Sequence, residues 1–271
     1  MRKNAPRIDD RAQALVDLVG MERAVFETAA GAPIETLIGC GRNGCVFKSD
    51  PGVVKASFAD DESMLARALA GPRREPFLPV FHGGRTVKGP DIGMDSVFEI
   101  GVIHREDLAD FAPKNLAAYS DAIMALLEDG DGADPATALK EYAAVCRQTK
   151  RPPADRDLEA IRAISGLMSW GNKNGIHFDR SEFSWEDDED AQEGEEEILP
   201  NAIANLGVTS DGHVVVRDLG GFEPVGKKSR PGDRKPLLDM VKRLSAPKAK
   251  TRRNELQPCE RLQAFLVEYL N

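Results

Sequence analysis

Aromatic residues make up only 6% of this 271-residue chain, with two tryptophans and three tyrosines among them. Long apolar runs are missing too: no stretch approaches the roughly 20 apolar residues that span a bilayer, which excludes a helical membrane protein. Behind the basic start Met1-Arg2-Lys3-Asn4-Ala5-Pro6 there is no apolar stretch, so no secretory leader is expected. Cysteine is scarce. Cys40, Cys45, Cys146 and Cys259 show no CxxC spacing and no histidine partner at zinc-ligand spacing, and are expected as reduced thiols of a cytoplasmic protein.

What is present suffices for a folded body. With 41% hydrophobic residues, the chain can bury a sizeable core, as one large domain or two lobes. Its formal charge of -9 is unevenly spread. Residues 182–197 ("EFSWEDDEDAQEGEEE") hold ten acidic residues and no basic one; outside them the chain carries 36 basic and 35 acidic residues, close to neutrality. Residues 227–253 hold eleven Lys/Arg against two Asp. The acidic run reads as a solvated insert, or as a segment that covers the basic block or the cleft. The basic block has no aromatic residue for base stacking, so nucleic acid is not an expected partner.

Periodicity divides the chain further. Residues 8–30 carry Leu15, Leu18, Val19, Val25 and Phe26 at amphipathic-helix spacing. Residues 34–47 are β-prone around a glycine cluster, and "GVVKASF" is a short strand after the turn Asp50-Pro51-Gly52. A helix is predicted over 62–69, and strands over 80–99 separated by Gly83-Gly84 and Gly89-Pro90. Long helices follow over 115–147, interrupted by "EDGDGADPAT", and over 156–172; a last helix, "CERLQAFLVEYL", lies near the end. Strands first and helices second is an α+β order.

Three elements carry chemistry. "IGCGRNGCVF" sets Gly39, Gly41 and Gly44 in the spacing GxGxxG, followed by Val46. Glycine lets backbone N–H groups approach phosphate oxygens closely. A Rossmann fingerprint needs a helix after the third glycine; here a strand continues, so the glycines lie between two antiparallel strands. Lys55 ends "GVVK" on the next strand, and Glu62 on the following helix is placed to pair with it and fix its direction. Third, "NLGVTSDGHVVVRDLGG" (residues 205–221) puts Asn205 and Asp218 thirteen residues apart around a hairpin turned at Ser210-Asp211-Gly212. An amide oxygen and a carboxylate brought together there suit Mg²⁺ alongside phosphate oxygens.

In this order the chain resembles the protein-kinase-like fold over roughly residues 34–222. "GCGRNGCVF" is similar to the Gly-rich loop, "VVK" to the β3 lysine motif, Glu62 to the αC glutamate, and residues 205–220 to the stretch from the metal-binding Asn to the D-F-G motif, with Leu219 in place of Phe. The resemblance implies a two-lobed fold: a helical extension over 1–33, a β-rich N-lobe over 34–105 and a reduced, mostly helical C-lobe over 106–271. It implies ATP and Mg²⁺ as cofactors, with Lys55 and Glu62 orienting the triphosphate, Asn205 and Asp218 holding the metal, and Gly39, Gly41, Gly44 and Val46 against the nucleotide. "SVFEIGVIHREDL" would hold the fifth strand and the hinge, with Val102 and His104 meeting adenine.

Two departures bear on activity. The position five residues before Asn205, where the family carries its catalytic aspartate, is Pro200, which has no titratable group. Upstream, "NGIHFDRSEF" offers Asp179 as the base, similar to the reduced FD motif of some compact phage-encoded kinases, with the acidic run inserted between base and Asn. Only 50 residues follow Gly221, with no A-P-E motif, so a reduced peptide-docking part is expected. The expected activity is serine/threonine protein phosphorylation in the cytoplasm (a host's, if phage-encoded), with the substrate class open between a protein hydroxyl, a small molecule and the chain's own tail. The alternative is a pseudokinase that binds nucleotide and acts as a regulator.

Overall fold

The computed structural model describes residues 10–41, 44–58, 61–73, 75–88, 99–128, 135–178, 183, 201–219 and 222–224. The fold is α+β. Its main sheet is antiparallel, five-stranded and ordered β1-β2-β3-β5-β4, with β1 Leu37–Gly41, β2 Gly44–Lys48, β3 Val53–Ser57, β4 Phe81–Lys88 and β5 Glu99–Arg105. The two strands richest in β-branched residues, "VVKAS" and "EIGVIHR", lie side by side at its centre and are buried along nearly their whole length.

Register assigns every side chain to a face, because directly opposed residues point the same way and successive residues alternate. One face carries the row Val46–Lys55–Ile103–Gly84, flanked by Gly44–Ser57–Gly101–Thr86 on one side and Val53–Arg105–Phe81 on the other. The opposite face carries Cys45–Ala56–Val102 and Phe47–Val54–His104. We call these the inner and outer faces.

Helices α1 (Asp10–Met21) and α2 (Arg23–Ala30) cover the outer face: Ala12, Leu15, Val19, Phe26 and Ala30 form one cluster with Cys45, Phe47, Val54, Ala56, Ile100 and Val102. The sequence predicts a single helix here. The chain instead bends at Glu22, with φ −106° and ψ 30°, so both helices reach the same sheet face; α2 then ends on Gly31 at φ 69°, where a side chain would be strained.

The inner face receives α3 (Asp61–Leu69), whose Leu65 and Ala66 pack with Ile103. Gly83-Gly84, predicted to separate two strands, lies inside the continuous strand β4. A Cβ on Gly84 would come within 2.3 Å of the Ser63 carbonyl oxygen. The glycine is there because helix and strand touch backbone to backbone.

The rest is mainly helical. α4 (Leu116–Glu128), α5 (Pro135–Thr149) and α6 (Asp155–Asn174) pack with β6 (Ala109–Asp110), β8 (Leu206–Val208) and β9 (Val214–Val216), which form a three-stranded sheet. β7 (Ile176–Phe178) pairs with β10 (Phe222–Pro224), and α7 (Asn201–Ala204) precedes β8. A single apolar cluster runs from Leu65, Phe81 and Ile103 through Tyr119, Leu139, Ile161 and Leu167 to Leu206, Val216 and Leu219. At its far end Asp157 is wholly buried yet fully engaged. Its carboxylate accepts from the backbone N–H groups of Lys114 and Asn115, each at 2.9 Å, and from the Tyr142 hydroxyl at 2.9 Å. A carboxylate at the head of α4 satisfies helix donors that have no partner within the helix.

The expectation of four reduced thiols is overturned: Cys40 and Cys45 are joined by a disulfide, and Cys146 is free and buried. Register explains the pairing, since Cys40 and Cys45 stand directly opposite on β1 and β2. Spacing rules for metal or redox motifs do not detect a pair whose partners meet across a hairpin. Among the described residues no helix is long and apolar enough to cross a membrane. The acidic run (Phe183 apart), the basic block and the last predicted helix lie outside them.

Candidate functional site

Lys55 projects from the centre of β3 onto the inner face. Its Nζ donates to Glu62 Oε2 at 2.6 Å and to Asp218 Oδ2 at 2.8 Å. Lys55 and Glu62 are buried, whereas about a third of the Asp218 side chain stays exposed. Burial by itself pushes the Lys55 ammonium toward losing its proton, but the two carboxylates outweigh it and hold the pKa well above the ordinary value. Burial and the neighbouring Asp218 raise the Glu62 carboxyl, against the pull of Lys55. One ammonium thus donates to two acids, and the buried Arg105 guanidinium is a second cation interacting with both.

Asp218 is delivered by the hairpin read from the sequence. β8 and β9 pair antiparallel from Leu206↔Val216 to Val208↔Val214, and the turn closes through Gly212 N–H to Thr209 O at 2.9 Å. Gly212, at φ 91°, takes the left-handed conformation that the turn requires. At the open end the Arg217 N–H donates to Asn205 O at 2.8 Å, bringing Asn205 to within one residue of Asp218 across the ladder. Leu219, fully buried, donates its backbone N–H to Glu62 Oε1 at 3.3 Å. Glu62 therefore holds both Lys55 and Leu219, next to Asp218, which lies 163 residues from Lys55 in sequence. The oxygen donors Asn205 and Asp218 fit a hard divalent cation; among the described residues no group of three or more His, Cys, Asp or Glu is assembled for a metal.

Beside Lys55 in the same sheet lies the hairpin of β1 and β2. Gly39, Gly41, Gly44 and Val46 all sit on the Lys55 face. At Gly44 a Cβ would meet Ala56 O at 2.4 Å and Ser57 Cβ at 2.8 Å, so the chain's own packing demands glycine. Gly39 and Gly41 differ: a Cβ there would meet nothing within 4 Å. These two leave bare backbone facing open space beside a buried lysine.

Val102 and His104, expected against adenine, do not share the sheet face of Lys55. Both lie inside β5, with register partners on β3 and β4, and both face outward: Val102 packs in the α1–α2 cluster and His104 Nε2 meets Pro51 O at 2.5 Å. The strand runs further than the sequence suggests, and its exit is at residues 106–108. Two residues at that exit were missed. Arg105 is buried on the inner face. Glu106 is braced by its N–H to Val80 O at 2.9 Å, by Val80 N–H to its Oε1 at 2.7 Å, and by Arg73 at 2.9 Å. "HRED" is read from the sequence as the end of the fifth strand and the hinge, and only the pairing with Val53 and Phe81 reveals Arg105 on the face of Lys55.

Asp179 lies outside the described residues. Phe178 before it pairs with Phe222, four residues after Asp218. No protein-family model matches this chain, and no curated protein matches it.

Proposed function

We propose that the protein is a Mg²⁺-dependent phosphotransferase with a two-lobed, protein-kinase-like arrangement. It would transfer the γ-phosphoryl group of a nucleoside triphosphate, ATP by the family resemblance, to a serine or threonine hydroxyl. The observation that carries this reading is Lys55, held between Glu62 and Asp218 on the sheet face shared with the uncovered glycines Gly39 and Gly41. In kinases a strand lysine paired to a helix glutamate, together with a metal-binding aspartate, forms the triphosphate site.

Chemically, Gly39 and Gly41 would let the phosphates approach backbone N–H groups, and Lys55 would contact the phosphate oxygens with its direction fixed by Glu62. Asn205 and Asp218 would hold Mg²⁺, which neutralises charge on the β- and γ-phosphates. The substrate hydroxyl oxygen forms the new P–O bond while the bond to the β-phosphate oxygen breaks, releasing the diphosphate. The hydroxyl proton passes to Asp179, the residue after β7. Rate would come from positioning and charge neutralisation.

The test is Asp218→Asn, which keeps shape and removes the charge. We expect radiolabel transfer from the nucleotide to fall at least a hundredfold with an unchanged circular dichroism spectrum. Undiminished transfer would overturn the assignment of Asp218.

A further inference from the structure

Gly84 ends the row that holds Lys55, Val46–Lys55–Ile103–Gly84. It lies inside β4 without the positive φ that marks Gly31 and Gly212, so its backbone conformation does not call for glycine. A glycine within a strand weakens it and marks a close approach by another backbone. Here α3 makes that approach. A Cβ at Gly84 would stand 2.3 Å from Ser63 O, 3.1 Å from Arg67 N and 3.2 Å from Ala66 Cβ. Ser63 directly follows Glu62 in the first turn of α3. One same-face step along β4, Thr86 Oγ1 lies 3.3 Å from Ser63 Oγ. The strand thus forms a seat for the turn that carries Glu62.

The height of that seat decides whether Glu62 reaches Lys55. The pair is short, at 2.6 Å, and Lys55 is held from its other side by Asp218 at 2.8 Å. A carbon–oxygen contact needs about 3.3 Å, so a methyl group at Gly84 lifts α3 by roughly 1 Å. No rotamer change relieves the clash, because the opposing atom is a main-chain carbonyl oxygen. Lys55 cannot follow the helix without leaving Asp218. A lift of that size carries the ammonium and the Glu62 carboxylate out of hydrogen-bond range. It also loosens the bond from the Leu219 N–H to Glu62 Oε1, which is already 3.3 Å long.

We infer that Gly84, with Thr86 beside it, is a positioning residue of the site: its missing side chain lets α3 settle on β4 at the height where Glu62 meets Lys55. The effect on nucleotide binding rests on the phosphotransferase reading above; the effect on the Lys55–Glu62 pair does not. In a site that works by positioning, a displacement of about 1 Å costs up to about a hundredfold in rate.

The test is a double-mutant cycle on the full chain. Wild type, Gly84→Ala, Glu62→Ala and the two combined are each measured by denaturant unfolding and by calorimetric titration with Mg-ATP. If the added methyl group acts by parting Glu62 from Lys55, its effect shrinks once Glu62 is gone. We expect Gly84→Ala to weaken Mg-ATP binding about tenfold in the wild-type background and less than about twofold in the Glu62→Ala background. The combined variant should also lose less stability than the two single variants together. Additive stability losses, or wild-type Mg-ATP affinity in Gly84→Ala, would overturn the inference, because the glycine would then serve folding alone. If the wild type binds no Mg-ATP, the phosphotransferase reading falls and the unfolding cycle decides on Gly84. Should Gly84→Ala not fold, Thr86→Val takes its place in both measurements. Binding about threefold weaker, with no such loss in the Glu62→Ala background, is then expected; no change, or an equal change in both backgrounds, would overturn the seat.

Discussion

The inner and outer faces of the five-stranded sheet are made by alternate residues of the same strands, and they have opposite characters. Outward, Cys45, Phe47, Val54, Ala56 and Val102 meet two amphipathic helices in an ordinary apolar layer. Inward, the same strands bring Gly39, Gly41, Lys55 and Arg105 to one side, and Lys55 is buried only because Glu62 and Asp218 accompany it. Burial of a charge is costly unless it is paired. One face therefore holds the fold together, and the other spends part of that stability on an arrangement suited to anionic ligands. Asp157 shows the contrast with a structural carboxylate: it is equally buried, but its acceptors are filled by backbone N–H groups and a tyrosine hydroxyl.

The sharpest way to break this comparison is Lys55→Met. Removing the cation leaves Glu62 buried beside Asp218, and loss of one partner from a buried ion pair costs about 3–5 kcal/mol. Nucleotide-induced thermal stabilisation should vanish as well. The stability loss should depend on pH. Glu62 already titrates above its ordinary 4.5, through burial and Asp218. A carboxyl with a raised folded pKa contributes fully below the unfolded value and loses that contribution as pH rises through the folded value. Lys55 opposes the rise, so without it the folded value climbs further. Denaturant midpoints of the variant should approach wild type as pH falls from 8 toward 5; a pH-independent gap would mean that Glu62 does not depend on Lys55.

On the outer face Phe26→Ala should act on stability alone. Phe26 is 1% exposed within the helix–sheet cluster. We expect a loss of about 3 kcal/mol, the low end for a buried phenylalanine, because half-buried Val16, Leu18 and Ala29 border the cluster and can relax. For a chain of this size the thermal midpoint should drop by about 6–12 °C. Nucleotide affinity of the folded protein should stay within about twofold of wild type, because the substitution lies on the face away from Lys55. A larger change would show that the faces are coupled.

The comparison also explains how far the sequence could be read. The helices over 62–69, 115–147 and 156–172, the α+β order, the pairing of Lys55 with Glu62 and the hairpin between Asn205 and Asp218 follow from local pattern and spacing, because each rests on short-range geometry. What stayed hidden depends on register. Whether Val102 or Arg105 faces the lysine depends on how β5 aligns with β3, and a shift of one residue exchanges the faces. Gly83-Gly84 looked like a break because close helix–strand packing and a turn both call for glycine. Asp157, in a run of charges at the start of α6, gave no sign that it would be buried.

The disulfide tests the smallest difference between the faces. Cys40 and Cys45 alternate with Gly39, Gly41 and Gly44, so the bond lies on the outer face, where Cys45 packs beneath α1, while the glycines stay inward. A crosslink stabilises chiefly by restricting the unfolded chain, and one closing so short a loop contributes about 2 kcal/mol. Cys40→Ser or full reduction should therefore lower the thermal midpoint by about 4–8 °C. Cys40 is the residue to change, because Cys45 is fully buried and a serine there would add an unpaired hydroxyl. If the faces are independent, nucleotide affinity after reduction stays within about threefold of the oxidised value, since no inner-face contact has been removed. A fall of tenfold or more would mean that the outer crosslink sets the shape of the glycine backbone on the other side of the same two strands.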